Sequence, residues 1–238
     1  MSAYRLSITA EQAVKLRNTL KAAMLSPGFK SKYLPKVFKY VHVRPYSTSG
    51  KDTVDFTVLE NRMAVRFTAN DASASWGSDK VESMLIETKS LMKLLSLVKA
   101  AHVLHENMLT ITWEMDKEES RQVSAKIAGS SEGIHDDNPL VHKTNYHHGL
   151  VIMGDPEDPT WRWPNTNRIL PDNVELGWDA ASDSYVMSPE HHVVYGKIVG
   201  DDWQRSMLRY SDRIYFASLR SESGSYRAMM AFMGNEVP

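Results

Sequence analysis

Histidine is the residue type in this chain whose number and pairing most invite a metal. There are nine, including the adjacent pairs His147-His148 and His191-His192, and one precedes two acids in His135-Asp136-Asp137. Imidazole and carboxylate donors together are the ligand set of zinc hydrolases. His135, Asp136, Asp137, His147 and His191 could therefore assemble a hydrolytic metal site if tertiary structure gathered them. Adjacent histidines in a strand point to opposite faces, so each pair offers one ligand easily. No His-Glu-x-x-His spacing sets two imidazoles on one helix face, and neither G-x-x-x-x-G-K-[ST] nor G-x-G-x-x-G is present to cradle a phosphate. Zero cysteines remove thiolate ligands, cysteine nucleophiles and disulfides. Ser223-Gly224-Ser225 reads as a turn rather than a nucleophile. Trp161 and Trp163, flanking Arg162, could stack on single-stranded bases, although an interface or core role suits these aromatics better. Surface or hydrogen-bonding roles account for the histidines more simply than a metal does. Catalysis lacks a signature here, no cofactor is implied, and the chain reads as a binding protein.

The basic residues carry a clearer message. Lys and Arg number 28 against 29 Asp and Glu, a net charge of −1. Residues 1–44 hold nine basic residues against Glu11 alone, a local charge of +8 that leaves −9 on the rest. A chain polarised in this way can turn a basic surface to an anionic partner while remaining neutral overall.

Three of those charges, and three lysines further along the chain, fall on helices. Thr9 with Gln12 forms a capping box that starts a helix whose apolar stripe is Ala13, Leu16, Leu20 and Met24, ending near Ser26-Pro27-Gly28. Rotation by about 100° per residue sends Lys15 and Lys21 away from that stripe, with Arg17 on its flank. A second helix, capped by Thr88, has Leu91, Leu94, Leu95 and Val98 on one face. Lys89 and Lys93 oppose that face, with Lys99 beside them. Lysine and arginine alone on outward helical faces suit a surface that follows phosphates.

The helices recur within a repeated order of elements. Tyr4–Ile8 reads as a strand, the first helix follows, and then come strands Tyr40–Arg44, Thr53–Leu59 and Arg62–Thr68, the last two joined in a hairpin across Glu60-Asn61. The order returns as strand Ser83–Glu87, the second helix, and strands Val103–His105, Met108–Glu114 and Gln122–Ile127. It returns again as strand Tyr185–Met187, a helix opened by Ser188-Pro189 and closed at Gly200, and strands Met207–Tyr210, Arg213–Leu219 and Ser225–Phe232. A fourth copy is expected between about 131 and 184. Proline and acid density there, as in Asp155-Pro156-Glu157-Asp158-Pro159, reads instead as loop and linker, with only Gly149–Met153 and Val174–Trp178 extended. The expected fold is α+β, with helices on one side of antiparallel sheets. A clear domain is expected at 1–130 and a smaller, modified one at 131–238, with a Pro/Asp-rich linker region at about 135–172.

Paired strand–helix–three-strand units with basic helices outward resemble the DNA polymerase sliding clamps, whose helices line a hole and whose strands form the outer sheets. Three segments carry the resemblance further. Glu60-Asn61-Arg62-Met63-Ala64-Val65 is similar to the bacterial-clamp segment in which a basic and an aliphatic residue enter a central strand. Trp163-Pro164-Asn165-Thr166-Asn167-Arg168-Ile169-Leu170-Pro171, the most specific of the three, is similar to the segment near the end of their middle domain. Ser225–Met233 is similar to their methionine-containing C-terminal strand. The resemblance implies a hydrophobic pocket for short peptide motifs, lined by Arg62, Met63, Pro164, Arg168, Ile169, Met229, Phe232 and Met233. It also implies non-specific double-stranded DNA as the ligand of Lys15, Arg17, Lys21, Lys89, Lys93 and Lys99.

Bacterial clamps have three full domains, whereas 238 residues suit the two-domain clamps that close as trimers. Phe232 stands where the bacterial strand typically has proline, and Gly234 where a basic residue is common. The expected function is a non-catalytic processivity factor, a homo-oligomeric ring that tethers a polymerase or other DNA enzyme and is served by a clamp loader. The alternative is a monomeric clamp-fold adaptor that binds proteins without encircling DNA; a histidine-dependent metal hydrolase is the third reading. No apolar run approaches the roughly 20 residues that span a bilayer, and no secretory leader opens the chain, so a cytoplasmic location is expected.

Overall fold

The computed structural model describes residues 3–48, 50–75, 83–98, 108–114, 122–129, 140–148, 163–166, 169–170, 188–198, 203–209, 214–221 and 223–233. The first repeat is β1 (Ala3–Thr9), α1 (Ala10–Ala23), β2 (Tyr40–Thr48), β3 (Lys51–Leu59) and β4 (Met63–Asn70), followed by the short β5 (Ser73–Ser75). The second is β6 (Met84–Glu87), α2 (Thr88–Ser96), β7 (Met108–Glu114), β8 (Gln122–Gly129) and β9 (Leu140–His148). The third comprises α3 (Pro189–Ile198), β10 (Trp203–Arg209), β11 (Ile214–Ser221) and β12 (Tyr226–Met233). The expected strand Tyr185–Met187 lies outside the described residues, as do Val103–His105, Gly149–Met153 and Val174–Trp178.

All described strand pairs are antiparallel, in the order β10-β11-β12-β4-β3-β2-β6-β9-β8-β7-β1-β5. The first strand of each early repeat crosses to the other's sheet: β1 pairs with β7, and β6 with β2. The two repeats are therefore interlocked. β12 adds the third repeat beside β4, with Met230 opposite Val65 and Phe232 opposite Met63.

Alternation along the central strands divides the core in two. Val54, Phe56, Val58, Met63, Val65, Phe67, Tyr226, Ala228 and Met230 pack with the apolar sides of the helices, including Leu16, Leu20, Leu91, Leu94 and Leu95. Leu59, Ala64, Met229 and Ala231 join a second cluster with Val37, Trp163 and Leu170. β3 is consequently buried on both faces from Thr53 onward.

Two local expectations are corrected. Residues 140–148, expected to be loop, form β9, which pairs with both β8 and β6. Its mixed His, Lys, Thr and Asn composition shows no apolar alternation; backbone pairing with neighbours on both edges makes it a strand. Thr88 is not the cap of α2. Glu87 holds that position, and its carboxylate accepts a hydrogen bond from the Ser90 hydroxyl. Thr88 is already helical and buried, and its hydroxyl has no partner among the described residues. By contrast, Thr9 and Gln12 form the full capping box of α1. The Ser188 hydroxyl accepts from the His191 N–H at 3.3 Å at the start of α3.

Candidate peptide pocket and basic helix faces

Three distant parts of the chain meet at one end of β4. The β3–β4 turn closes with the Glu60 N–H donating to the Met63 carbonyl at 2.9 Å, which presents Asn61 and Arg62 to solvent. The end of β12 is fastened to this turn by Met233 N–H donating to the Arg62 carbonyl at 3.0 Å. The third part, residues 163–166 with 169–170, packs on the side of the sheet away from the helices. Trp163 is 2% exposed, stacked on His42 at 5.0 Å and edge-on to Phe38 at 6.1 Å. The Thr166 carbonyl turns the segment by accepting from Ile169 and Leu170, and Leu170 is fully buried.

Between these parts lies an open, mainly apolar cavity of about 330 Å³. Of the eight residues expected there, Arg62, Met63, Pro164, Ile169, Phe232 and Met233 line it. Met229 does not; it packs in the second core cluster with Trp163 and Leu170. Arg168 lies outside the described residues. Phe38, Glu60 and Asn61 also line the cavity and were not foreseen. Phe38 arrives from the long α1–β2 connection, which carries no local sign of its destination. Met233 is 43% exposed, so the wall is apolar and open to a partner.

The turn is shared with a second, more polar cavity of about 310 Å³. Glu60 is buried there: it accepts from the Ser26 hydroxyl at 3.3 Å and the Arg62 N–H at 3.1 Å, and lies 3.5 Å from His191 Nε2. A Cβ on Gly28 would meet this carboxylate, so a larger residue there would require the Glu60 side chain to shift. Exposed Glu190 is held below the usual carboxylate range by a hydrogen bond from its own N–H and by the Ser188 hydroxyl.

Beneath the 163–170 segment, buried Asp55 faces Arg44 at 3.1 Å and Arg66 at 3.6 Å and accepts from Thr68 at 2.6 Å. Arg66 also reaches Thr166 at 3.5 Å, linking the sheet to the segment. Burial, then Arg44, then Arg66 lower the pKa of His42 to about 3, so the imidazole stacked on Trp163 is neutral.

Lys21, Lys89 and Lys93 are exposed, and Lys15 and Arg17 are half-buried; Lys99 lies outside the described residues. Glu11, the acid on α1, is engaged by the Tyr226 hydroxyl at 3.1 Å. α3 is different: its exposed residues include Glu190, His192, Val193 and Lys197, which mix acidic, apolar and basic side chains. Among the described residues, no group of three or more His, Asp or Glu is placed to hold a metal. His135, Asp136 and Asp137 lie outside them.

The chain superposes on the A. fulgidus PCNA solved with the C-terminal region of FEN-1, with a TM-score of 0.55 and 8% identity over 99% of each chain. The fold is that of the sliding clamps. The C. crescentus beta sliding clamp matches with a TM-score of 0.40 and 6% identity, over all of this chain and 66% of that one, too low to add weight. No protein-family model and no curated protein matches the sequence. Among the described residues, no helix is long and apolar enough to cross a membrane.

Proposed function

We propose that this chain is a non-catalytic DNA clamp that tethers a DNA polymerase or another DNA enzyme through a short peptide. The observation that carries this reading is the open apolar cavity built on a clamp fold from the β3–β4 turn, the end of β12 and the 163–170 segment. The PCNA neighbour is bound to the C-terminal region of FEN-1, which makes a peptide the natural occupant here. Methionines at the rim suit several related peptides, since thioethers repack readily. Lys15, Arg17, Lys21, Lys89, Lys93 and Lys99 would follow duplex phosphates without reading bases. We further propose one domain built on residues 1–130 together with β9, a second over the rest of 131–238, and a homotrimeric ring opened by a loader in the cytoplasm.

The test is binding of a labelled clamp-binding peptide to the chain and to its Met233→Glu variant. Tight binding that disappears in a variant with unchanged melting supports the pocket. No binding to the wild type removes it. A second reading, a monomeric adaptor that does not encircle DNA, is favoured by the exposed residues of α3, where Glu190, His192 and Val193 accompany Lys197. Retention on circular but not linearised DNA separates the two.

A further inference from the structure

Four of the nine N-terminal basic residues lie on neither an α-helix nor a strand of the sheet. Lys30, Lys32, Lys36 and Lys39 all belong to the connection between α1 and β2, and all are exposed. No Asp or Glu occurs between Glu11 and Asp52, so the connection has no acid of its own to neutralise them.

The connection is built rather than loose. Two 3-10 turns, Pro27–Lys30 and Lys36–Lys39, are closed by Ser31 N–H donating to Gly28 at 3.2 Å and Phe38 N–H donating to Pro35 at 3.0 Å. Between them Leu34 N–H donates to the Ser31 carbonyl, and Tyr33 N–H to the Ser31 hydroxyl, each at 3.2 Å. Leu34 and Val37 are buried and pin the connection to the body. Tyr33, next to an anchor, is instead 77% exposed. The Lys32 ammonium sits 5.0 Å from the centroid of its ring. The result is an aromatic ring held out on a fixed turn, with cations beside it and on both sides along the chain.

We propose that this connection is a binding platform for single-stranded nucleic acid, with Tyr33 stacking on a base and the four lysines contacting flanking phosphates. Exposed aromatics interleaved with cations are how sequence-tolerant single-strand binders work, because every base has a π-face. A duplex offers its phosphates but keeps its bases stacked, and so has nothing for the ring. An acidic peptide would likewise satisfy the lysines and leave Tyr33 without a role. The platform is distinct from the helix faces proposed for duplex DNA.

The test is fluorescence anisotropy of a labelled oligothymidylate against the full chain, with a duplex of equal length and vesicles of phosphatidylserine and phosphatidylcholine as comparisons. Tyr33→Ala should weaken oligothymidylate binding roughly five- to 150-fold, the worth of one stacked base, and Tyr33→Phe should restore it. Replacing Lys30, Lys32, Lys36 and Lys39 with alanine should flatten the salt dependence by about 0.7 in slope for each phosphate left without its lysine. Thermal melting of each variant should match the wild type, since these side chains are exposed. Equal binding by wild type and Tyr33→Ala would overturn the proposal. So would Tyr33-dependent binding to the anionic vesicles with none to the oligothymidylate, which would make the platform a membrane contact.

Discussion

At the scale of single residues, two buried polar side chains decide more than their number suggests. Gln12 does more than complete the capping box. Its amide nitrogen donates to the Asn70 carbonyl at 2.7 Å and the Ser225 carbonyl at 2.8 Å, pinning α1 to the turn ends beside β4 and β12. Gln12→Ala should cost about 1–3 kcal/mol in urea unfolding, because the Asn70 carbonyl loses this donor, the Ser225 carbonyl keeps only the Asn70 N–H, and the cap is broken. His42 sets a pH dependence. Its pKa is about 3 in the fold against 6.5 unperturbed, so between these values the unfolded chain binds a proton that the folded chain refuses. Its contribution is intact above pH 6.5 and is lost as pH falls toward 3. Between pH 7 and pH 5 it should remove about 2 kcal/mol of stability. His42→Phe keeps an aromatic against Trp163, removes an Nε2 that has no partner among the described residues, and should abolish that part of the acid sensitivity in denaturant melts at the two pH values.

At the scale of elements, helix periodicity placed Lys21, Lys89 and Lys93 on the outside, since 3.6 residues per turn fixes which side chains oppose a buried stripe; Lys15 is half-buried and Lys99 lies outside the described residues. Lys21, Lys89 and Lys93 are exposed opposite Leu16, Leu20, Leu91, Leu94 and Leu95. If α1 and α2 form the duplex-binding surface, replacing Lys15, Lys21, Lys89 and Lys93 with alanine should lower the slope of log affinity against log salt by about 0.9 for each phosphate no longer neutralised. Stability should change by no more than about 0.5 kcal/mol. An unchanged slope measured by filter binding across salt concentrations would assign the DNA surface elsewhere. β9 shows the limit of periodicity: His142, Thr144 and Tyr146 alternate with Lys143 and Asn145, a pattern without an apolar face.

At the scale of the whole molecule, the open sheet ends at β10 on one side and β5 on the other among the described strands. Unpaired strand edges invite pairing with another chain, and a closed ring would cover them. Sedimentation should give a species near three times 27.0 kDa. A single 27.0 kDa species at micromolar concentration would favour the monomeric adaptor instead.

What the sequence determined by itself is whatever short-range physics writes locally: the capping box at Thr9, the start of α3 at Ser188, the hairpin around Asn61, and the outward lysines. The repeated order of those elements was enough to point to the clamp fold. The pocket was only partly legible. Arg62, Met63 and Met233 lie at the end of a hairpin and of a strand, but whether a residue lines a cavity or the core depends on which face the 163–170 segment covers. That packing joins residues far apart in the chain, as the Arg66–Thr166 hydrogen bond shows. Met229 went to the core and Phe38 to the pocket for this reason. Burial on the far side of a sheet is set by what packs there, and no local pattern in β12 or in the α1–β2 connection records it.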